Sequence, residues 1–69
     1  MSAPEVDQSG EIGHVHHPKR QVLLDFVKHL KSNGFLRYSY PMPDQERGEG
    51  WMMFLYDRLS DDIINSFEA

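Results

Sequence analysis

The strongest structural signal in this chain is the stretch KRQVLLDFVKHLKSNG, residues 19–34. Its large apolar residues recur with helical spacing and cover one stripe of roughly 140°. They are Val22, Leu23, Phe26, Val27 and Leu30. Asn33-Gly34 is typical of a helix end, because glycine adopts the left-handed conformation without strain. The spacing therefore predicts an amphipathic helix over 19–33, with Pro18 at its start.

On the C-terminal side of this helix the pattern becomes that of strands. Residues 36–40 (LRYSY) alternate apolar with polar, and the Pro-Met-Pro sequence at 41–43 interrupts them. After a polar, glycine-containing loop at 44–50, the apolar run WMMFLY at 51–56 has strand-like composition. These two segments predict a two-stranded antiparallel β-hairpin with a long loop.

The two ends of the chain give weaker signals. Ser60 followed by two aspartates is typical of a helix N-cap, which predicts a short terminal helix with Ile63, Ile64 and Phe67 on one side. Residues 1–17 contain few apolar side chains and predict a flexible, disordered N-terminal arm, although 14–17 could instead dock as a third strand. The expected fold is α+β of order αββα, with an arm over 1–17 and one small domain over 18–69.

Composition and charge exclude several classes of protein. The chain has 69 residues, no cysteine and a formal net charge of −4. No apolar run approaches the roughly 20 residues of a membrane span, and the N-terminus has no secretory signal pattern, so we expect a cytoplasmic protein. The charge is unevenly distributed, because residues 14–37 carry five Lys or Arg and one acid, whereas 41–69 carry two Arg and seven acids.

One face of the predicted helix is a candidate binding surface. Arg20, Leu24, Lys28 and Lys31 lie together on the side away from the core stripe, with the leucine between cations. A single exposed leucine is common on protein surfaces, and that interpretation stays open. A leucine surrounded by charges also has the composition of a small protein-binding site.

The second candidate surface lies on the hairpin. The strand at 51–56 is apolar on both faces, with Met52, Phe54 and Tyr56 on the side that the first helix would not cover. Either the terminal helix covers this side or another chain does. Because the terminal helix is short, the pattern favours a partner protein or a homodimer formed through the hairpin.

Catalysis and cofactor binding are not expected from these residues. Cysteine and threonine are absent, no phosphate-binding glycine loop occurs, and so small a chain rarely encloses a cleft for paired carboxylates. His14, His16, His17 and His29 could offer imidazoles to a metal, but no further residue completes a known ligand spacing. We expect no enzyme activity, no cofactor and at most adventitious metal binding.

The predicted function is therefore a small non-enzymatic protein-binding module, acting as an adaptor, regulator or inhibitor of a protein partner. The alternative is a nucleic-acid-binding regulator that uses the basic face of the first helix, with aromatic residues of the sheet stacking on bases. The negative net charge and the acidic hairpin loop argue against that alternative.

Overall fold

The computed structural model describes residues 3–67, which form a four-stranded antiparallel sheet and two helices. In chain order the elements are β1 (Glu5–Asp7), β2 (Gly13–His17), α1 (Arg20–Ser32), β3 (Met42–Pro43), β4 (Trp51–Leu55) and α2 (Asp61–Asn65). The fold is α+β, but its order is ββαββα. The predicted αββα order with a two-stranded hairpin is wrong.

The N-terminal segment is the main correction. Residues predicted to form a disordered arm contribute β1 and β2, and β2 lies between β1 and β4 in the sheet order β1-β2-β4-β3. The sequence of β2, Gly-His-Val-His-His, alternates between the two faces, and Val15 is fully buried. Residues 1–2 of the predicted arm and 68–69 at the other end lie outside the described residues.

The N-terminal segment is also held by side-chain hydrogen bonds. The Gln8 amide nitrogen donates to the Leu59 carbonyl at 3.0 Å, and the Leu59 N–H donates to the Gln8 amide oxygen at 2.7 Å. Leu59 itself is buried in the core. The turn between β1 and β2 is thereby fixed to the segment that precedes α2.

The edge segment before β4 differs from the predicted strand at 36–40. Only Tyr38 pairs there, in an isolated bridge to Leu55, and the regular pairing comes later, where Met42 lies opposite Met52. Between these two pairs, the three residues 39–41 lie opposite only two residues of β4, 53–54, and this mismatch is a β-bulge. The Ser39 hydroxyl accepts the Phe54 N–H at 2.8 Å and compensates for the disturbed ladder. Pro41 precedes the short β3 and Pro43 is its second residue, although the sequence predicts that these prolines end a strand.

Helix α1 forms and ends as its sequence predicts. Its C-terminus has the Schellman arrangement, in which the Gly34 N–H donates to the Lys31 carbonyl and the Phe35 N–H to the Leu30 carbonyl. Gly34 has a φ of 78°, which suits glycine. At the other end the Lys19 N–H donates to Nδ1 of His17 at 2.9 Å. The last residue of β2 thus fixes the start of the helix.

The core lies between α1 and one face of the sheet. Its buried members are Val15, Leu23, Phe26, Val27, Leu30, Met53, Leu55 and Leu59. Helix α2 packs on this same side, since Phe67 contacts the ring of Phe26 edge-on and His29 Nε2 donates to the Ile63 carbonyl at 2.7 Å. Ser60 caps α2 as predicted, accepting the Ile63 N–H. Within residues 3–67, both helices therefore leave the opposite face of the sheet uncovered.

The helices are short. Among the described residues, neither combines the length and the apolar composition needed to cross a membrane.

Candidate functional site: the open face of the sheet

The uncovered face of the sheet, called the open face below, consists of two rows of side chains across the strands. The strand register places Glu5, His16, Met52 and Met42 in one row and Asp7, His14 and Phe54 in the other. Both rows run from a carboxylate on β1 through an imidazole on β2 to an apolar group on β4, and the first row continues to Met42 on β3. The open face is therefore acidic at one edge and apolar at the other.

The loop at 44–50 folds back over part of the first row. Asp44 Oδ2 lies 2.6 Å from Nδ1 of His16, and both side chains are largely buried. The other carboxylate oxygen of Asp44 accepts the backbone N–H of Arg47 at 3.1 Å. Asp44 therefore connects the loop to the strand β2.

The ionisation of Asp44 reflects opposing effects. Burial disfavours the charged carboxylate and is the largest single influence on it. The hydrogen bonds that Asp44 accepts from the Arg47 backbone N–H and from His16, together with the electrostatic influence of these two side chains, outweigh burial and hold the pKa of Asp44 below its ordinary value. Asp44 is thus a carboxylate at neutral pH and keeps its bonds to the loop.

Arg47 lies at the acidic edge of the open face. Its guanidinium Nη2 is 2.7 Å from a carboxylate oxygen of Glu5, and its Nε is 3.8 Å from Asp44. The side chains of Arg47 and Glu5 are 51% and 68% exposed, so solvent reaches this ion pair. The pair bridges the loop and the edge strand β1.

Gly50 allows the loop to lie this close to β2. It has a φ of 75°, and a Cβ atom built there would lie 2.8 Å from Cε1 of His16 and 3.1 Å from the His17 carbonyl oxygen. Any side chain at this position would displace the imidazole or the loop.

Two of the hollows beside the loop adjoin each other on the open face. The larger, of about 460 Å³, lies over β1 and β2 and is lined by Glu5, Asp7, His14, His16 and Arg47 among others. The smaller, of about 310 Å³, is lined mainly by Met42, Pro43, Gln45 and Phe54. Both hollows share Glu46 and Met52, so a polar and an apolar depression adjoin each other.

The histidines do not gather into a metal site. His14 and His16 share the open face, whereas His17 is buried on the helix side and His29 contacts α2. Within the part of the chain that the structure describes, no three His, Cys, Asp or Glu side chains are placed to hold a metal ion.

The residues named from the hairpin sequence do come together. Met52 and Phe54 lie on the open face, and the ring of Tyr56, 47% exposed, is 6.4 Å from that of Phe54. Met52 is buried, with 7% of its surface exposed, so Phe54 and Tyr56 supply the accessible apolar surface of the three. Neither helix covers them, and the suggestion that the terminal helix might do so is wrong, because α2 packs on the other side.

The residues named on the helix lie in the other layer of the molecule. Arg20, Lys28 and Lys31 are exposed, but Leu24 is partly buried. The Arg20 guanidinium lies 5.7 Å from the centre of the Trp51 ring, and Lys31 Nζ is 3.3 Å from the Tyr40 hydroxyl. That hydrogen bond raises the pKa of Lys31. Two of the three cations therefore contact aromatic groups of their own chain.

The polar half of the open face was missed by sequence reasoning. Its carboxylates on β1, imidazoles on β2 and Arg47 come from three segments that meet only when the strands pair. A usable signal exists in the alternation of residues 13–17, which places Val15 on one side and His14 and His16 on the other.

Comparison of the chain with protein-family models, with characterised proteins and with solved structures gives no match. The functional argument therefore depends on the residues of the chain itself.

Proposed function

We propose that this chain is a small non-enzymatic protein-binding module, acting as an adaptor, regulator or inhibitor, and that it binds its partner through the open face. The observation that carries the proposal is the apolar half of that face, in which the partly exposed Met42 and Phe54 adjoin the buried Met52 on the side of the sheet that neither helix covers. The exposed Tyr56 extends this apolar half beyond the end of β4.

The composition of this surface supports protein binding. Methionine and aromatic residues are enriched in the centres of protein interfaces, where aromatic rings bury large areas and the flexible methionine side chain adapts to the shape of the partner. The adjoining hollows give the surface relief into which side chains of a partner can insert. Carboxylates and imidazoles border the apolar part on the side of β1 and β2, and polar residues at the margin of an apolar centre are typical of protein interfaces.

The nucleic-acid alternative has less support. It needs free cations on the face of α1, yet Arg20 lies over Trp51 and Lys31 is bonded to Tyr40. The open face carries Glu5, Asp7 and Glu46, which repel phosphates. No observation favours the nucleic-acid function over protein binding.

A comparative pull-down tests the proposal. The wild-type chain, a Phe54→Ser/Tyr56→Ser variant and a Leu36→Ser control are used as baits in a lysate of the source organism, with bound proteins quantified by mass spectrometry. Leu36 is 70% exposed and lies outside the open face, so its variant removes apolar surface elsewhere. We expect at least one protein to be retained by wild type and control but lost from the double variant.

Two results would contradict the proposal. One is a set of captured proteins that does not change when Phe54 and Tyr56 are replaced. The other is recovery of nucleic acid at physiological salt that is abolished by reversing the charges of Arg20, Lys28 and Lys31.

The homodimer and the cytoplasmic location predicted from the sequence stay predictions. A homodimer would use the same surface, with Met52 and Phe54 of two chains in contact. Sedimentation equilibrium at about 100 micromolar distinguishes a homodimer from a monomer that binds a different protein. A species of 8.1 kDa would be the monomer, whose open face is available to such a partner.

A further inference from the structure

We infer that the partner contributes a basic amphipathic segment, whose Arg or Lys side chain replaces Arg47 beside Glu5 while its apolar side chains contact Phe54 and Met42. This inference rests on the proposed function and adds the chemistry of the partner. It is drawn from the open face as a whole, in which an apolar half and a carboxylate-bearing half lie side by side.

The first argument is charge complementarity. Among residues 3–67, the larger hollow is lined by the carboxylates Glu5, Asp7, Asp44 and Glu46 and by one permanent cation, Arg47. A partner segment with cations lowers the electrostatic energy of this surface, whereas an acidic segment raises it. The apolar half of the face requires that the same segment also present apolar groups.

The second argument is that the chain already places a guanidinium, that of Arg47, beside the carboxylate of Glu5. Arg47 reaches Glu5 at 2.7 Å and lies 3.8 Å from Asp44, so the two carboxylates are spaced to accept a cation between them. Both members of the Arg47–Glu5 pair are more than half exposed. Because exposed ion pairs contribute little to stability, Arg47 can be exchanged for a partner cation at small cost.

The geometry limits the shape of the partner segment. Adjacent strands are about 4.8 Å apart, so β1 and β4 are separated by about 10 Å across the open face. An amphipathic helix of about 10 Å diameter, or an extended strand crossing the sheet, can place a cation over β1 and an apolar side chain over β4. The segment therefore needs its cation and its apolar group on adjoining sides.

Peptide selection tests the inference. A random 12-residue displayed library is selected against the wild-type chain, with depletion against the Phe54→Ser chain, whose folding is checked by circular dichroism. If that variant does not fold, Tyr56→Ser replaces it, because Tyr56 is exposed and contributes to the same surface. We expect the enriched sequences to combine Arg or Lys with large apolar residues.

The outcomes separate the inference from the proposed function. Enrichment of neutral or acidic apolar peptides overturns the inference and leaves the proposed function standing. Failure to enrich any peptide that distinguishes wild type from the depletion target counts against both. If wild-type chains associate with each other through this face and no peptide competes, the occupant is a second copy and the inference is overturned.

Affinities of the best peptide for two variants give a sharper measurement. Glu5→Gln removes a carboxylate that would bind the partner cation, so affinity should fall about two- to five-fold. Arg47→Gln removes the competing guanidinium, so affinity should rise by a similar two- to five-fold factor. A purely structural role of the Arg47–Glu5 ion pair would change affinity in the same direction in both variants, and that result would overturn the inference.

Discussion

Replacing Val15 by alanine tests whether the N-terminal segment belongs to the fold. Val15 is 0% exposed and lies in the central strand β2, opposite Met53 of β4. The substitution removes two buried methyl groups, worth about 1.6 kcal/mol of transfer free energy. The space left behind adds on the order of 1 kcal/mol, so the free energy of unfolding should fall by about 2–3 kcal/mol.

The measurement is thermal and urea unfolding followed by circular dichroism. In a domain of this size a loss of 1 kcal/mol lowers Tm by about 4–8 °C, so the loss expected for Val15→Ala should lower it by about 8–24 °C. The matched control is Ile12→Ala in the same segment. Ile12 is 46% exposed, and its replacement should change stability by no more than about 0.5 kcal/mol.

Amide hydrogen exchange of the wild-type chain gives an independent readout if Val15→Ala does not fold. Amides of β2 that bond to β1 or β4 should exchange as slowly as those of β4, since opening them requires unfolding of the sheet. Unprotected amides across 13–17, or a Tm for Val15→Ala within about 3 °C of wild type, would refute the assignment of this segment to the core.

Two further predictions concern the loop at 44–50. Gly50→Ala should destabilise the chain more than Gly48→Ala. Both glycines have φ near 75°, but only a Cβ at position 50 would meet the His16 ring. Equal decreases in the free energy of unfolding, measured in urea, would contradict the described packing. The pKa of Asp44 is lower in the folded chain than the ordinary value for aspartate, which is about 3.9. The stabilisation that ionised Asp44 contributes is therefore fully present above about pH 3.9 and disappears as the pH falls through the folded pKa. Urea unfolding between pH 3 and 6 should therefore show wild type more stable than Asp44→Asn at pH 6 and the difference shrinking toward pH 3.

The helices could be predicted from the sequence because their signals are local. The apolar stripe of α1, the Asn33-Gly34 end and the Ser60 cap each act within a few residues of the backbone that they stabilise. The strands could not be predicted as well, because their pairing joins distant segments. β2 contains a glycine and three histidines, which give little strand propensity, and its only large aliphatic residue is Val15.

The candidate site also contains residues that could be predicted from the sequence and residues that could not. Met52, Phe54 and Tyr56 could be named because a strand with apolar residues on both faces needs cover on both faces. Glu5, His16 and Arg47 could not be named, because their proximity depends on the pairing of β1 with β2 and on the path of the loop. The composition of the N-terminal segment, considered alone, is that of a flexible tail.

The outermost strands of the sheet limit how molecules of this protein can aggregate. Pro41 and Pro43 have no N–H to donate, and they flank Met42 at one margin of the sheet. At the other margin, β1 is only three residues long and carries Glu5 and Asp7, whose charges repel the same strand of another molecule. Both margins of the four-stranded sheet therefore disfavour main-chain pairing with a further chain, which opposes extension of the sheet into a fibril.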